Sequence, residues 1–455
     1  MVIDRVNISN ANVFGLSGEL HLDGTRYNNA LVIFFVPYIL FEIPSNILLK
    51  RFKPSVWLSG NMILFGLVTL VQGFVQNYSG LMATRFFLGL FEAGMVPGGM
   101  SQNIQKRCVL LRRRWLMTVF VAFYLLGMWY RRHEAQKRFS FFFSSTSLAG
   151  AFGGLLAAAI GKMQGVRGYS GWRWIFIIEG ALTVVFGFGF YFFLPDFPED
   201  TKWLTEEERI YASARLHIEQ GRSNAERPVI FKDITKTLRD HRVFLGGLMY
   251  FALVVPIYGY AYFAPAIIQT YGYGSIQTQL HSVPPWAVSF GVSMIVAFLS
   301  DKTQHRAGFA IGSICICVTG FTILLAGSNR DLKYGALFLA VSGAYTTAPI
   351  LACWFNMNLG GHQRRSVGSA WQVAFGNIGS IIAVYTFRKE DAPRYVSGNA
   401  MCIAFAAFAA ICCSLYGMAC LLENKKRDRS SQGETLTEEE KAELGDMSPE
   451  YRYLL

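Results

Sequence analysis

Eleven stretches of this chain are apolar for long enough to cross a bilayer, whose hydrocarbon core of about 30 Å asks for roughly 20 residues of helix. They fall at 28–49, 55–75, 79–99, 139–161, 173–194, 243–265, 282–300, 307–326, 334–354, 366–387 and 398–422. No water reaches the middle of a bilayer, so each stretch must satisfy its own backbone groups, and a helix is the way a single segment does so. The fold class expected is therefore an all-α membrane protein. Composition agrees: 52% of residues are hydrophobic and 16% charged, where a soluble chain carries about a quarter charged residues.

A net charge of +12 could point to nucleic acid, but the Lys and Arg sit in short clusters between apolar runs and read as membrane orientation. "KRFK" (50–53), "RRHEAQKR" (131–138), "SDKTQHR" (300–306), "HQRR" (362–365) and "KKRDR" (425–429) alternate with loops poorer in positive charge. The positive-inside rule places them in the cytoplasm. A polar stretch, 195–242, separates five spans from six; Thr205 and Glu208 within it have capping-box spacing. The expected organisation is an N-terminal helix bundle (1–194), a cytoplasmic central loop (195–242), a C-terminal bundle (243–422) and a charged, mobile cytoplasmic tail (423–455).

Two features break the pattern. Five spans before the loop and six after it imply that a first span is missing, with residue 1 near that helix's outer end. The second is "MSQNIQKRCVLLRRRWLMTVFV" (100–121), which puts five basic residues and no acids between an apolar run and its apparent continuation. If 115–130 spanned separately, "RRHEAQKR" and every later loop would change sides, against the charge pattern.

Charges inside the spans are the candidate functional residues, since each costs a few kcal/mol to place there. Arg85 and Glu92 in "RFFLGLFEAG" lie two helical turns apart and share a face. Together they suit a site where Arg85 holds an anion and Glu92 takes and releases a proton; the competing reading is a structural pair, or Arg85 snorkelling to the surface. Glu42, between Pro37 and Pro44, is either a second proton carrier on a loosened helix or a structural hydrogen-bond partner. Gly150, Gly153 and Gly154 suit close helix packing. Tyr258, Tyr260 and Tyr262 alternate and cannot all line one cavity. Asn356, Asn358 and Asn377 suit bonds between helices.

Nothing in the sequence builds an enzyme. It has no P-loop, HExxH, GxSxG or CxxC pair, which also argues against an ATP-driven pump and leaves an ion gradient as the energy source. No cofactor and no metal are expected, and the eight cysteines show no ligand or disulfide spacing.

Taken together, "LVIFFVPYILFEIPSNILLKRFKPSVWL", "TRFFLGLFEAGMVPG", "MWYRRHEAQKRFSFFFSS", "GWRWIFIIEG" and "DFPEDTKWLTEEER" resemble the anion:cation symporter branch of the major facilitator superfamily, and within it the fungal allantoate, nicotinate and pantothenate permeases. The likeness covers about residues 4 to 425 apart from 100–121, and "VPPWAV", "SDKTQHR" and "DAPRY" extend it through the second half. It implies two six-helix bundles with a site between them, alternating access, and proton-coupled uptake of a small organic anion by a monomer in the plasma membrane, with no nucleic acid involved. It also implies that Asp4 and Arg5 work with Arg85 and Glu92, the acids handling the proton and the arginines facing the anion. Tyr38 matches a cavity tyrosine and Asn377 a polar position near substrate. Asp301, Lys302 and Arg306 match the superfamily's cytoplasmic gating loop.

Most of the first helix is absent from the pattern, so Asp4 and Arg5 are expected to lack a spanning helix to hold them. The segment 100–121 can be a lineage-specific insertion or an unspliced intron. Gly99-Met100-Ser101 can be encoded with GTATGT, and Val121-Ala122 with TAG, so removal would rejoin "MVPG" to "AFYLLGMWY" in frame. Rival functions are a nutrient sensor that transports little and a non-functional chain.

Overall fold

In the computed structural model, residues 2–49, 54–94, 132–193, 231–303, 305–360, 362–430 and 451–454 are described. The segment 100–121, most of the central loop with Thr205 and Glu208, and the Glu42 side chain lie outside the described residues. Twelve helices carry the architecture, and the described residues include no strand. They are α1 (Val2–Val13), α2 (Arg26–Leu49), α3 (Pro54–Gln72), α4 (Tyr78–Ala93), α5 (Arg132–Gly161) and α6 (Gly171–Phe193) before the central loop. After it come α7 (His241–Gln269), α8 (Ser275–Thr303), α9 (Arg306–Ala326), α10 (Arg330–Met357), α11 (His362–Thr386) and α12 (Val396–Ser430). Nine of the described helices are long and apolar enough to cross a membrane.

Packing sorts the helices into two groups. In the first, α3 lies along α6 and α2 along α4; in the second, α9 pairs with α10, and α7 with α11 and α12. The seam between the groups is α5 against α8 and α10, α2 against α11, and α1 against α7 and α8. Small residues let the seam close. A Cβ on Gly150 of α5 would lie 2.6 Å from the Trp286 ring, and one on Gly154 would lie 2.8 Å from Ser282 Oγ. Gly153 faces Ile3 of α1 instead.

Hydrogen bonds across the seam gather at the end that loop charge assigns to the outside. Asn28 donates to the Val384 and Phe387 carbonyls at 2.7 and 3.2 Å, and Tyr385 to Asn29 at 2.8 Å. Ser9 donates to the Tyr262 carbonyl at 2.6 Å, Ser275 to the Val13 carbonyl at 2.9 Å and Gln279 to the Asn10 carbonyl at 3.4 Å. The two halves are therefore clasped at that end.

Three expectations need refinement. Asp4 and Arg5 lie on a helix that is not a full span yet holds them in place: α1 packs on α5, α6, α7 and α8. Its 12 residues run about 18 Å at 1.5 Å per residue, short of a full crossing. Second, α8 begins at Ser275 rather than near 282. Its first two turns look polar, but Thr278, Gln279 and Ser282 point inward and are buried, so mean hydropathy undercounts them.

The third refinement concerns the tail. The last helix runs on to Ser430, with Arg427 and Glu423 paired one turn apart at 3.1 Å. Residues 451–454 then pack on the end of the second bundle that loop charge assigns to the cytoplasm. Trp354 donates to the Leu454 carbonyl at 2.9 Å, Tyr451 to the Met357 carbonyl at 2.8 Å, and Asn358 holds Leu454 from both sides at 3.0 and 2.8 Å. The Tyr453 ring lies between the guanidinium groups of Arg242 (4.6 Å) and Arg427 (4.8 Å). Beside it Asp240 caps α7, accepting from the Arg242 backbone at 3.0 Å. Burial alone would raise the Asp240 carboxyl, but hydrogen bonds from Arg242 and Arg364 outweigh it and hold it at about 2.

Tyr453→Ala removes an almost fully buried ring and two cation–π contacts, about 2 kcal/mol in total. The docked end is then expected to open some 30-fold more often. Carboxypeptidase digestion of the purified protein should accelerate by that order, and the melting temperature should fall; unchanged digestion would mean that the tail is not held by Tyr453.

Candidate substrate and proton site

The sequence places Arg85 and Glu92 on one face of α4, and both turn inward, Arg85 1% exposed and Glu92 fully buried. Helix α4 starts where Asn77 accepts the Gly80 N–H at 2.8 Å, which sets the register of that face. Gly89, between the two charges, brings α4 against α2: a Cβ there would lie 2.0 Å from the Phe34 carbonyl oxygen. That approach brings Phe34 and Tyr38 to the same place as the charges.

Glu92 pairs with Arg5 of α1, not with Arg85. Arg5 also donates to the Tyr258 hydroxyl of α7, so one side chain ties together both halves of the molecule. Its guanidinium is surrounded by aromatic faces: Phe34 and Tyr38 at 5.1 Å and Tyr258 at 5.9 Å. Such contacts strengthen when water is excluded. The second oxygen of Glu92 is buried with no hydrogen-bond partner.

Arg85 makes only long contacts, 3.4 and 3.5 Å, with the Arg5 carbonyl, and its Nε has no partner. The other buried arginines among the described residues each have an acid within 4 Å: Arg173 has Glu19, Arg306 has Asp301 and Arg427 has Glu423. Arg85 has none. Its burial rules out snorkelling, and its geometry rules out a structural pair with Glu92. What remains is a desolvated cation beside an occupied ion pair, an arrangement suited to an incoming anion.

The alternating tyrosines divide as their spacing requires. Tyr258 and Tyr262 stack one turn apart, 5.6 Å between centroids, and face the charged cluster, with Phe35 edge-on to both. Tyr260 points the other way, against Trp286 at 5.1 Å.

Asp4 sits next to Arg5 in sequence but on another side of α1, where Thr183 of α6 donates to it at 3.3 Å. Asn377 donates to the Val373 carbonyl of its own helix at 3.0 Å and makes no hydrogen bond to the cluster. Asp301, Lys302 and Arg306 lie far along the chain's path from the site, at the turn from α8 to α9. There Arg306 is buried with Asp301 4.0 Å away, and Lys302 is exposed. Glu179 of α6 was not singled out by the sequence reading. A lone acid inside a run of 22 apolar-rich residues was the signal for it.

Two helical groups, clasped at one end around a buried cluster of opposite charges, define a multi-pass membrane transporter. The chain belongs to the major facilitator superfamily, which residues 2–103 and 117–384 match. The break at 104–116 falls inside the segment 100–121.

The chain is 33% identical over 441 residues to the MFS transporter prlL of Fungal sp. (strain NRRL 50135), covering 95% of this chain and 84% of that protein. It is 30% identical over 470 residues to the major facilitator-type transporter hxnP of Emericella nidulans, covering 100% and 88%. The fold is similar to a bacterial homologue of the human lysosomal transporter Spinster, solved inward-facing and unoccupied. The TM-score is 0.61 at 15% identity, over 92% of this chain and 94% of that one. Its relatives are transporters, and this chain is a transporter rather than an enzyme.

Proposed function

We propose that the chain is a proton-coupled symporter of a small organic anion, of the anion:cation symporter branch, working by alternating access as a monomer in the plasma membrane. The observation that carries this reading is Arg85, a buried arginine with no acid within 4 Å among the described residues, set against the Arg5–Glu92 pair. Empty, the three groups sum to one positive charge. An anion of unit charge neutralises it, and a proton on Glu92 restores it. Anion and proton together thus leave the cluster with its empty-state charge, so loaded and empty carriers meet similar electrostatic costs in crossing. Carrying one without the other does not.

The test is uptake into proteoliposomes with an inward proton gradient, against a panel of nicotinate, pantothenate, allantoate, biotin and short dicarboxylates. Accumulation of at least one anion above equilibrium, abolished by a protonophore, is the expected result. Uptake indifferent to the gradient would overturn the coupling.

Residues 100–121 are read as a retained intron because their ends fit splice signals in frame; the family match breaks at 104–116, as it would for any insertion. Sequencing the transcript through 95–125 checks this, and a processed transcript that keeps the segment would rule it out.

A further inference from the structure

The Arg5–Glu92 pair does not account for all the buried acid in the first bundle. Glu179 of α6 is 3% exposed, as is Asp4 of α1. The two helices meet through interlocked polar pairs. Asp4 and Asn7 lie one turn apart on α1, and Glu179 and Thr183 one turn apart on α6. Thr183 donates to both Asp4 oxygens, at 3.3 and 3.4 Å, while Asn7 donates to Glu179 Oε2. These bonds set each acid opposite a neutral donor of the other helix, with both carboxyl groups in the same buried contact. Asn10 donates to Asn7 at 3.5 Å and helps fix its amide.

Glu179 Oε1 is buried without a hydrogen-bond partner. A charged carboxylate seldom tolerates that, since its lone pairs demand donors. The groups facing Glu179 are few. From α1 come Asp4 and Asn7. Helix α3, packed along α6, carries no titratable side chain, and α5 carries none between 139 and 161. Arg5 is turned away, engaged with Glu92 and Tyr258.

We infer that Glu179, in the same buried helix contact as Asp4, is a second proton-binding site in the first bundle, distinct from the Arg5–Glu92 pair. Neighbouring buried carboxylates resist being charged together. Because Asp4 and Arg5 are adjacent on α1, a change of charge at this site shifts the backbone that carries the Arg5–Glu92–Tyr258 contacts. Proton occupancy here therefore biases the grip of Arg5 on the second bundle. Its part in transport rests on the symport reading above; its protonation does not.

The test separates the two. Infrared difference spectroscopy of the purified protein at neutral pH should show a protonated-carboxyl C=O stretch that disappears in Glu179→Gln, returns in Glu179→Asp and is retained in Glu92→Gln. A band indifferent to Glu179→Gln would overturn the inference, whatever the carrier transports. If Glu179→Gln fails to reach the membrane, Asp4→Asn carries the test: with the neighbouring carboxylate gone Glu179 ionises more easily, so the band should titrate away at lower pH, and an unchanged titration would overturn the inference.

In proteoliposomes, Glu179→Gln should shift the pH dependence of gradient-driven uptake, with anion exchange at fixed pH retained. An unchanged pH profile would reduce this proton to a fixed structural one and remove its role in coupling. Failure of the symport reading shows separately, as wild-type uptake that ignores the proton gradient while the infrared band persists.

Discussion

Arg85→Ala is expected to bring anion uptake down at least about 100-fold while leaving the protein folded, inserted and no less stable than the parent. Removing one member of a buried, hydrogen-bonded charge pair costs about 2–5 kcal/mol of binding, and each 1.4 kcal/mol is a tenfold change. The stability half of the expectation separates function from structure. Arg85 is buried, yet its contacts within the protein are two long bonds to a carbonyl. They do not repay the desolvation of a guanidinium. A structural arginine would unfold the helix pair when lost; one that waits for an anion would not. Arg85→Lys keeps the charge and loses the flat fork of donors, so an intermediate loss is expected. Uptake assays with melting curves on all three proteins check this, and ordinary transport by Arg85→Ala would end the assignment.

Glu92→Gln is expected to abolish gradient-driven accumulation while anion exchange continues. The amide imitates the protonated acid and cannot release its proton. The cluster then holds two positive charges when empty and one when loaded with a monovalent anion. Loaded crossings proceed, but the empty return exposes an extra buried charge costing several kcal/mol. At 1.4 kcal/mol per decade, even 3 kcal/mol slows that return by about 100-fold. Exchange needs no empty return. Counterflow measured beside net uptake makes the distinction, and net uptake equal to wild type would show that Glu92 is not on the proton's route.

Much of this was legible in the sequence, and the limits have physical causes. Long apolar runs mark spans because a bilayer imposes a length, and the shared face of Arg85 and Glu92 follows from helical pitch. Pitch does not say which neighbour arrives at that face, so the partner of Glu92 proved to be Arg5, 87 residues away. The split of Tyr258 and Tyr262 from Tyr260 was readable for the same reason as the Arg85–Glu92 face. Glu179 was visible as a lone acid in an apolar run, but the crossed bonds with Asn7 and Asp4 that give it meaning are tertiary. The outer turns of α8 and the docked residues 451–454 were missed because a polar side chain facing the core has the same hydropathy as one facing water.

The clasp between the bundles has a consequence for how such a protein can drift. Asn28, Ser9, Ser275 and Gln279 all donate to main-chain carbonyls. A carbonyl oxygen is supplied by any residue, so the receiving positions, Val384, Phe387, Tyr262, Val13 and Asn10, can change identity without unfastening the bond. The donors cannot. Apart from the Tyr385–Asn29 side-chain pair, closure at this end is thus written on one side of each bond only, and substitutions accumulating among the carbonyl acceptors would leave no compensating change opposite them. A search for pairs of positions that vary together would pass over most of this seam, although it is where the two halves hold each other.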